Sequence, residues 1–98
     1  MTSYFVTRHP GAVEWALEEG FTVDESLVHL DVSRIQTGDQ VFGTLPVHLV
    51  AQVCARGGRY FHLTLELPAE LRGHELSALD MRRCGARLEA YDVRKIDD

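Results

Sequence analysis

Apolar residues in this chain come in short runs closed by glycine or proline, and the spacing within each run separates strands from helices. Residues 3–7, Ser-Tyr-Phe-Val-Thr, read as a short buried strand. Pro10 fits the first helical position, where its missing N–H would be unbonded anyway. Val13, Ala16 and Leu17 then repeat at helical spacing, and Gly20 ends the helix. A second strand is predicted over 27–31 and a third over 40–44. The connection over 31–39 is short for a parallel crossover. Either it holds a single helical turn, or the two strands it joins are not simple parallel neighbours.

Residues 46–56 are helical and strongly apolar, with Val47, Leu49, Val50, Val53 and Cys54 before Gly57-Gly58. A fourth strand over 59–67 has the sharpest alternation in the chain. Phe61, Leu63, Leu65 and Leu67 face one way, and Tyr60, His62, Thr64 and Glu66 the other. A central parallel strand covered on both faces is apolar throughout. The polar face therefore predicts contact with solvent or with a second subunit. A loop over 68–73 carries Glu70 and Arg72. A third helix over 77–84 opens on a capping box of Ser77 and Asp80 and stops at Gly85. Residues 87–96 read as a last strand. The order is that of a small Rossmann-like α/β domain spanning 1–98, a mostly parallel sheet of about five strands with about three helices.

Charge narrows the function. A net charge of -5 argues against broad binding of long DNA or RNA, which needs a basic face. A small anion held by a few arginines remains compatible, and nine of the ten basic residues are arginine, Lys95 being the exception. Cys54 and Cys84 are too few for a disulfide scaffold and lack metal-ligand spacing, so both read as buried free thiols. No run approaches the roughly 18–20 apolar residues of a membrane span, and no signal-peptide pattern opens the chain. A cytoplasmic protein is expected.

Two strand-to-helix junctions share one design. Thr7-Arg8-His9-Pro10-Gly11 follows the first strand, and Gly43-Thr44-Leu45-Pro46 follows the third. In an open α/β sheet, ligands bind beyond the carboxyl ends of the strands. A helix N-terminus there offers unpaired N–H groups and the positive end of a dipole, which suit phosphate. Arg8 supplies a cation, and His9 a hydrogen bond or a proton-transfer group. Gly43 permits close backbone approach and Thr44 adds a hydroxyl. The second junction is no P-loop, since no Gly-Lys-Ser/Thr occurs. His48 begins a polar helix stripe with Gln52 and Arg56, a solvated face whose first member points toward the same crevice. Glu66 and Arg72 are either a surface ion pair or a third wall of the site, and His29 and His62 lie within strands. Neither a metal, a cofactor nor a Ser-His-Asp hydrolase is indicated by spacing. The Arg-His-Pro-Gly stretch is similar to the Arg-His-Gly element of histidine phosphatases, but Pro10 intervenes and no second histidine motif follows.

Taken together, residues 4–12 (Tyr-Phe-Val-Thr-Arg-His-Pro-Gly-Ala), 43–47 (Gly-Thr-Leu-Pro-Val) and 67–73 (Leu-Pro-Ala-Glu-Leu-Arg-Gly) resemble a family of small accessory proteins encoded beside type III CRISPR systems. The resemblance implies a Rossmann-like fold related to the CARF domains that sense cyclic oligoadenylates. It implies a homodimer acting as a ring nuclease on cyclic tetra-adenylate, whose two-fold symmetry matches a dimer axis. Metal-free cleavage would proceed by attack of a ribose 2′-hydroxyl on the adjacent phosphorus. In that scheme Arg8 stabilises charge and His9 does acid/base work. Thr7, Pro10, Gly11, Gly43, Thr44, Leu45, Pro46, His48 and Glu66 surround the ligand, and Arg72 closes over it. A module that binds the ring without cutting it, and a small phosphoesterase, are the competing expectations.

Overall fold

The computed structural model describes residues 1–97. Five strands form one sheet among them: β1 (Ser3–Val6), β2 (Glu25–Leu27), β3 (Gln40–Gly43), β4 (Arg59–Thr64) and β5 (Arg87–Tyr91). Three α-helices accompany it: α1 (Pro10–Glu18), α2 (Val47–Ala55) and α3 (Ala78–Arg83). The strand order is β2-β1-β3-β4-β5, parallel except for β5. This is the mostly parallel, doubly wound α/β architecture that the element pattern predicts.

Because helices cover both faces, β1 is buried along its whole length. Phe5, Phe42 and Leu63 meet Ala12, Trp15 and Ala16 of α1 and Met81 of α3 on one side. Tyr4, Val41 and Tyr60 meet Val50 and Val53 of α2, with Ile35, on the other. On the first face the ring of Phe42 packs at 5.3–5.9 Å from those of Phe5, Phe21 and Phe61. Edge-on and tilted contacts of this kind add to the area they bury.

Pro10 opens α1 as expected, and Gly20 closes it at φ +89. The inner stripe of α1 differs from the expected one. Ala12, Trp15 and Ala16 are buried, Val13 is half-buried, and Leu17 is 55% exposed. Two alanines flanking one tryptophan let the helix lie close to the sheet, which turns Leu17 outward. The Ser77–Asp80 capping box is present in full on α3.

Three strand boundaries need correction. The second strand is Glu25–Leu27, not 27–31. Among the described residues β1 alone pairs with it, and β1 turns away at Thr7, whose amide donates to the Leu27 carbonyl as the last ladder bond at 2.8 Å. Residues 28–31 therefore leave the sheet, and His29 is not in a strand. The fourth strand stops at Thr64, where pairing with β5 ends at Arg87, and the last strand stops at Tyr91. Both alternatives for 31–39 hold at once: Val32–Arg34 forms a 3-10 turn, and β2 and β3 lie on opposite sides of β1. Arg56 secures that turn to α2 by donating to the carbonyls of Ile35 and Ser33 at 3.1 and 2.9 Å. The entry to β3 is held by Asp39, which accepts the amides of Thr2 and Gln36, both at 2.9 Å. Those two bonds hold its carboxyl below the ordinary carboxylate value.

The polar face of β4 is occupied within the protomer. Tyr60 is 2% exposed among Val50 and Val53. His62 meets the ring of Tyr91 edge-on at 6.0 Å. Cys84 is buried and Cys54 half-buried, both as free thiols. No helix among the described residues is long and apolar enough to cross a membrane.

Candidate functional site

β1 has β2 on one side and β3 on the other, so the chain connections diverge between the carboxyl ends of β1 and β3. At such a switch point the loops part and leave a crevice. A cleft of about 450 Å³ lies there, lined by Val6, Thr7, Arg8 and His9 after β1, and by Thr44, Leu45, Pro46 and Leu49 after β3. Val28, His29 and Leu30 close its third side. The two junctions that share a sequence design thus face one cavity.

Each junction is built by local hydrogen bonds. Thr7 Oγ1 accepts the His9 amide at 3.1 Å, which bends the chain into α1. The Thr7 hydroxyl therefore fastens the turn. His9 stands at the N-cap position of α1 without a side-chain capping bond, and its Nδ1 lies 3.5 Å from the Leu76 amide. Arg8 is exposed and makes no ion pair among the described residues. A guanidinium without a protein partner at the mouth of a cleft is available to an anion.

The second junction hangs on Tyr60. Its phenol donates to the Gly43 carbonyl at 2.8 Å and accepts the Leu45 amide at 3.0 Å, bridging both ends of the Gly-Thr-Leu turn. A carbonyl can only accept, so the single phenolic proton goes to Gly43. His62 Nδ1, 2.8 Å away, then carries its own proton and donates to the phenol oxygen. Burial pushes the Tyr60 hydroxyl above its ordinary value, partly opposed by the Leu45 amide. Tyr60→Phe keeps the ring and removes the clamp. It leaves a carbonyl and an amide without partners, at a cost of about 1–3 kcal/mol. Urea unfolding should show that loss, and cleft affinity for an anionic ligand should fall with it. A variant equal to the wild type on both readouts would deny the clamp its role.

The remaining candidates are dispersed. Gly43 is buried, and a Cβ there would come within 2.6 Å of the Val6 carbonyl, so this glycine brings the two strand ends together. Gly11 is buried against the backbone of Leu76 and Ser77 and does not line the cleft. Pro10 starts α1 on the exposed side of the turn. His48 lines a separate groove of about 870 Å³ between α2 and residues 92–95. Glu66 lies 3.6 Å from Arg87 in an exposed pair rather than beside Arg72, and Arg72 borders neither recess next to Arg8. At the start of α2 the first amides have no partner within the helix by position, and Pro46 and Leu49 bring that end to the cleft.

The structure adds residues that sequence reasoning missed. Val28 and His29 reach the cleft because β2 ends at Leu27. A second recess of about 270 Å³ shares Arg8 and His9 with the cleft and is otherwise walled by Leu67, Leu71, Gly73, His74, Glu75 and Leu76. Tyr60 belongs to the site although its ring is inside the core. Among the described residues, no three His, Cys, Asp or Glu side chains gather as metal ligands would.

No curated protein and no solved structure gives a significant match to this chain. Residues 4–94 match the model of the family described as "Putative CRISPR-associated protein (Cas_VVA1548)", and that span carries both junctions, the Tyr60 clamp and the 71–76 segment. The chain belongs to this family of CRISPR-associated proteins.

Proposed function

We infer that the protein is a ring nuclease that opens cyclic tetra-adenylate, the second messenger of type III CRISPR defence. The observation that carries this reading is the convergence of Arg8–His9 and Thr44–Pro46 on one cleft at the switch point between β1 and β3. The family supports the CRISPR setting. A cyclic oligoadenylate is small and polyanionic. One unpaired arginine and an open helix start suffice to hold a phosphate of it, even in a chain of net charge -5.

The reaction needs alignment and charge stabilisation more than added chemistry. A ribose 2′-oxygen attacks the neighbouring phosphorus in line with the 5′-oxygen that leaves. The products are a 2′,3′-cyclic phosphate and a 5′-hydroxyl. Arg8 faces the phosphate and offsets the charge that builds on its oxygens. His9 bonds to the same group from the adjoining wall. Thr44 and the start of α2 hold the next phosphate and so fix the angle of attack. A ring with two-fold symmetry is best matched by two such clefts related by a dimer axis, so the active form is a homodimer. Val28, 55% exposed, lines the cleft, where a second subunit would cover it.

Incubating the pure protein with cyclic tetra-adenylate in EDTA, and reading the products by mass spectrometry, tests this. The expected products are linear fragments ending in a 2′,3′-cyclic phosphate. A ring that binds but stays intact after hours would make the protein a sequestering module. Release of inorganic phosphate from simple monoesters would point instead to a phosphoesterase.

A further inference from the structure

His9 is held in a way that limits its chemistry. The Leu76 amide is directed at its Nδ1, and only a lone pair can accept that N–H. The proton of the ring then sits on Nε2, so the free nitrogen offers a donor and no lone pair. In this state His9 can bond to a phosphate oxygen. It cannot take a proton there without changing tautomer and losing the Leu76 contact. The contact is itself secured by Gly11, where a Cβ would overlap the Leu76 carbonyl and lie 2.7 Å from Ser77 Cα. The segment over 71–77 is thus bound to the Arg8–His9 turn by close backbone packing as well as by a hydrogen bond.

Opening a phosphodiester through its own 2′-hydroxyl requires a group to receive the hydroxyl proton. The second recess provides a second imidazole. His74 is exposed, and its backbone amide donates a hydrogen bond to the Leu71 carbonyl at 3.2 Å. It lines the recess whose other wall is Arg8 and His9. A phosphate resting on Arg8 and His9 is therefore bordered by the cleft on one side and by His74 on the other.

We propose that His74 is the proton-accepting group of ring opening, and that its recess receives the ribose bearing the attacking 2′-hydroxyl, with His9 serving as a hydrogen-bond donor to the phosphate. The proposal rests on the ring-nuclease reading. In the step, the O2′–P bond forms and the P–O5′ bond breaks. The 2′ proton passes to His74, the 5′-oxygen takes a proton from water, and His74 returns its own to solvent. Arg8 and Glu75 are the charged groups that share this recess with the two imidazoles.

Single-turnover cleavage of cyclic tetra-adenylate separates the roles. His74→Ala should slow cleavage by about 10²-fold or more with binding and melting temperature close to wild type, since the side chain is exposed. Added imidazole should restore part of that rate. His9→Ala should not respond to imidazole, and His9→Gln, which keeps an N–H donor, should retain more activity than His9→Ala. A His74→Ala protein cutting at the wild-type rate would overturn the proposal alone. So would imidazole restoring His9→Ala while leaving His74→Ala inert. A wild-type protein that leaves the ring intact is a different result, which removes the ring-nuclease reading and this proposal with it.

Discussion

Arg8→Ala is expected to slow ring opening by about 10²–10³-fold, the usual loss when one preorganised donor to a developing oxyanion is removed. The effect is large because nothing nearby replaces it. Arg8 has no ion-pair partner among the described residues and borders both recesses. The thermal transition should stay near that of the wild type, because an exposed side chain without partners contributes little to folding. Arg8→Lys separates charge from geometry. An ammonium restores attraction to phosphate but not the two parallel N–H bonds of a guanidinium, so affinity should recover more than rate. Binding measured at two salt concentrations should show a shallower salt dependence in Arg8→Ala, since one phosphate contact is gone. If Arg8→Ala cleaves and binds as the wild type does, the anion lies elsewhere, and the switch-point cleft is not the site.

The features that place Arg8 were legible along the chain because they are local. Pro10 at the start of a helix, Ser77 with Asp80, and glycine after each helix all act within a few residues. The short apolar β1 reads as a buried strand, and the strand-to-helix junctions after β1 and β3 place a crevice at their carboxyl ends. What could not be read depended on partners distant in sequence. Glu25–Leu27 carries no alternation of its own and is a strand only because β1 offers it an edge. The more apolar 27–31 is the better strand by pattern, yet β1 ends too early to pair with it. Tyr60 looked like a polar interruption of β4, and its role needs a turn fifteen residues away. His74 sits in a loop with no periodicity, and the contacts of 76–77 with Gly11 and His9 bring it to the site. Arg72, two residues earlier, carried the more conspicuous charge and lies outside both recesses.

That packing contact can be broken with one carbon. Gly11→Ala would drive a Cβ into the Leu76 carbonyl and to 2.7 Å from Ser77 Cα and its carbonyl carbon. All three are backbone atoms, so no side-chain rotation relieves the overlap. The start of α1 must move away from 76–77, at a cost of about 1–3 kcal/mol or more. In a domain of this size each kcal/mol lowers the melting temperature by roughly 4–8 °C. Gly20→Ala is the control for glycine loss itself. Gly20 has φ +89 with nothing within 4 Å of a Cβ, so alanine there strains only the helix cap, by about 1–2 kcal/mol. Both variants should melt early, but only Gly11→Ala should also withdraw Leu76 from His9 Nδ1 and carry His74 out of position. Its cleavage rate at a temperature where it remains folded should therefore fall well below that of Gly20→Ala. Equal rates would show that α1 and the 71–77 segment can separate without consequence for the cleft, leaving Gly11 with a role in stability alone.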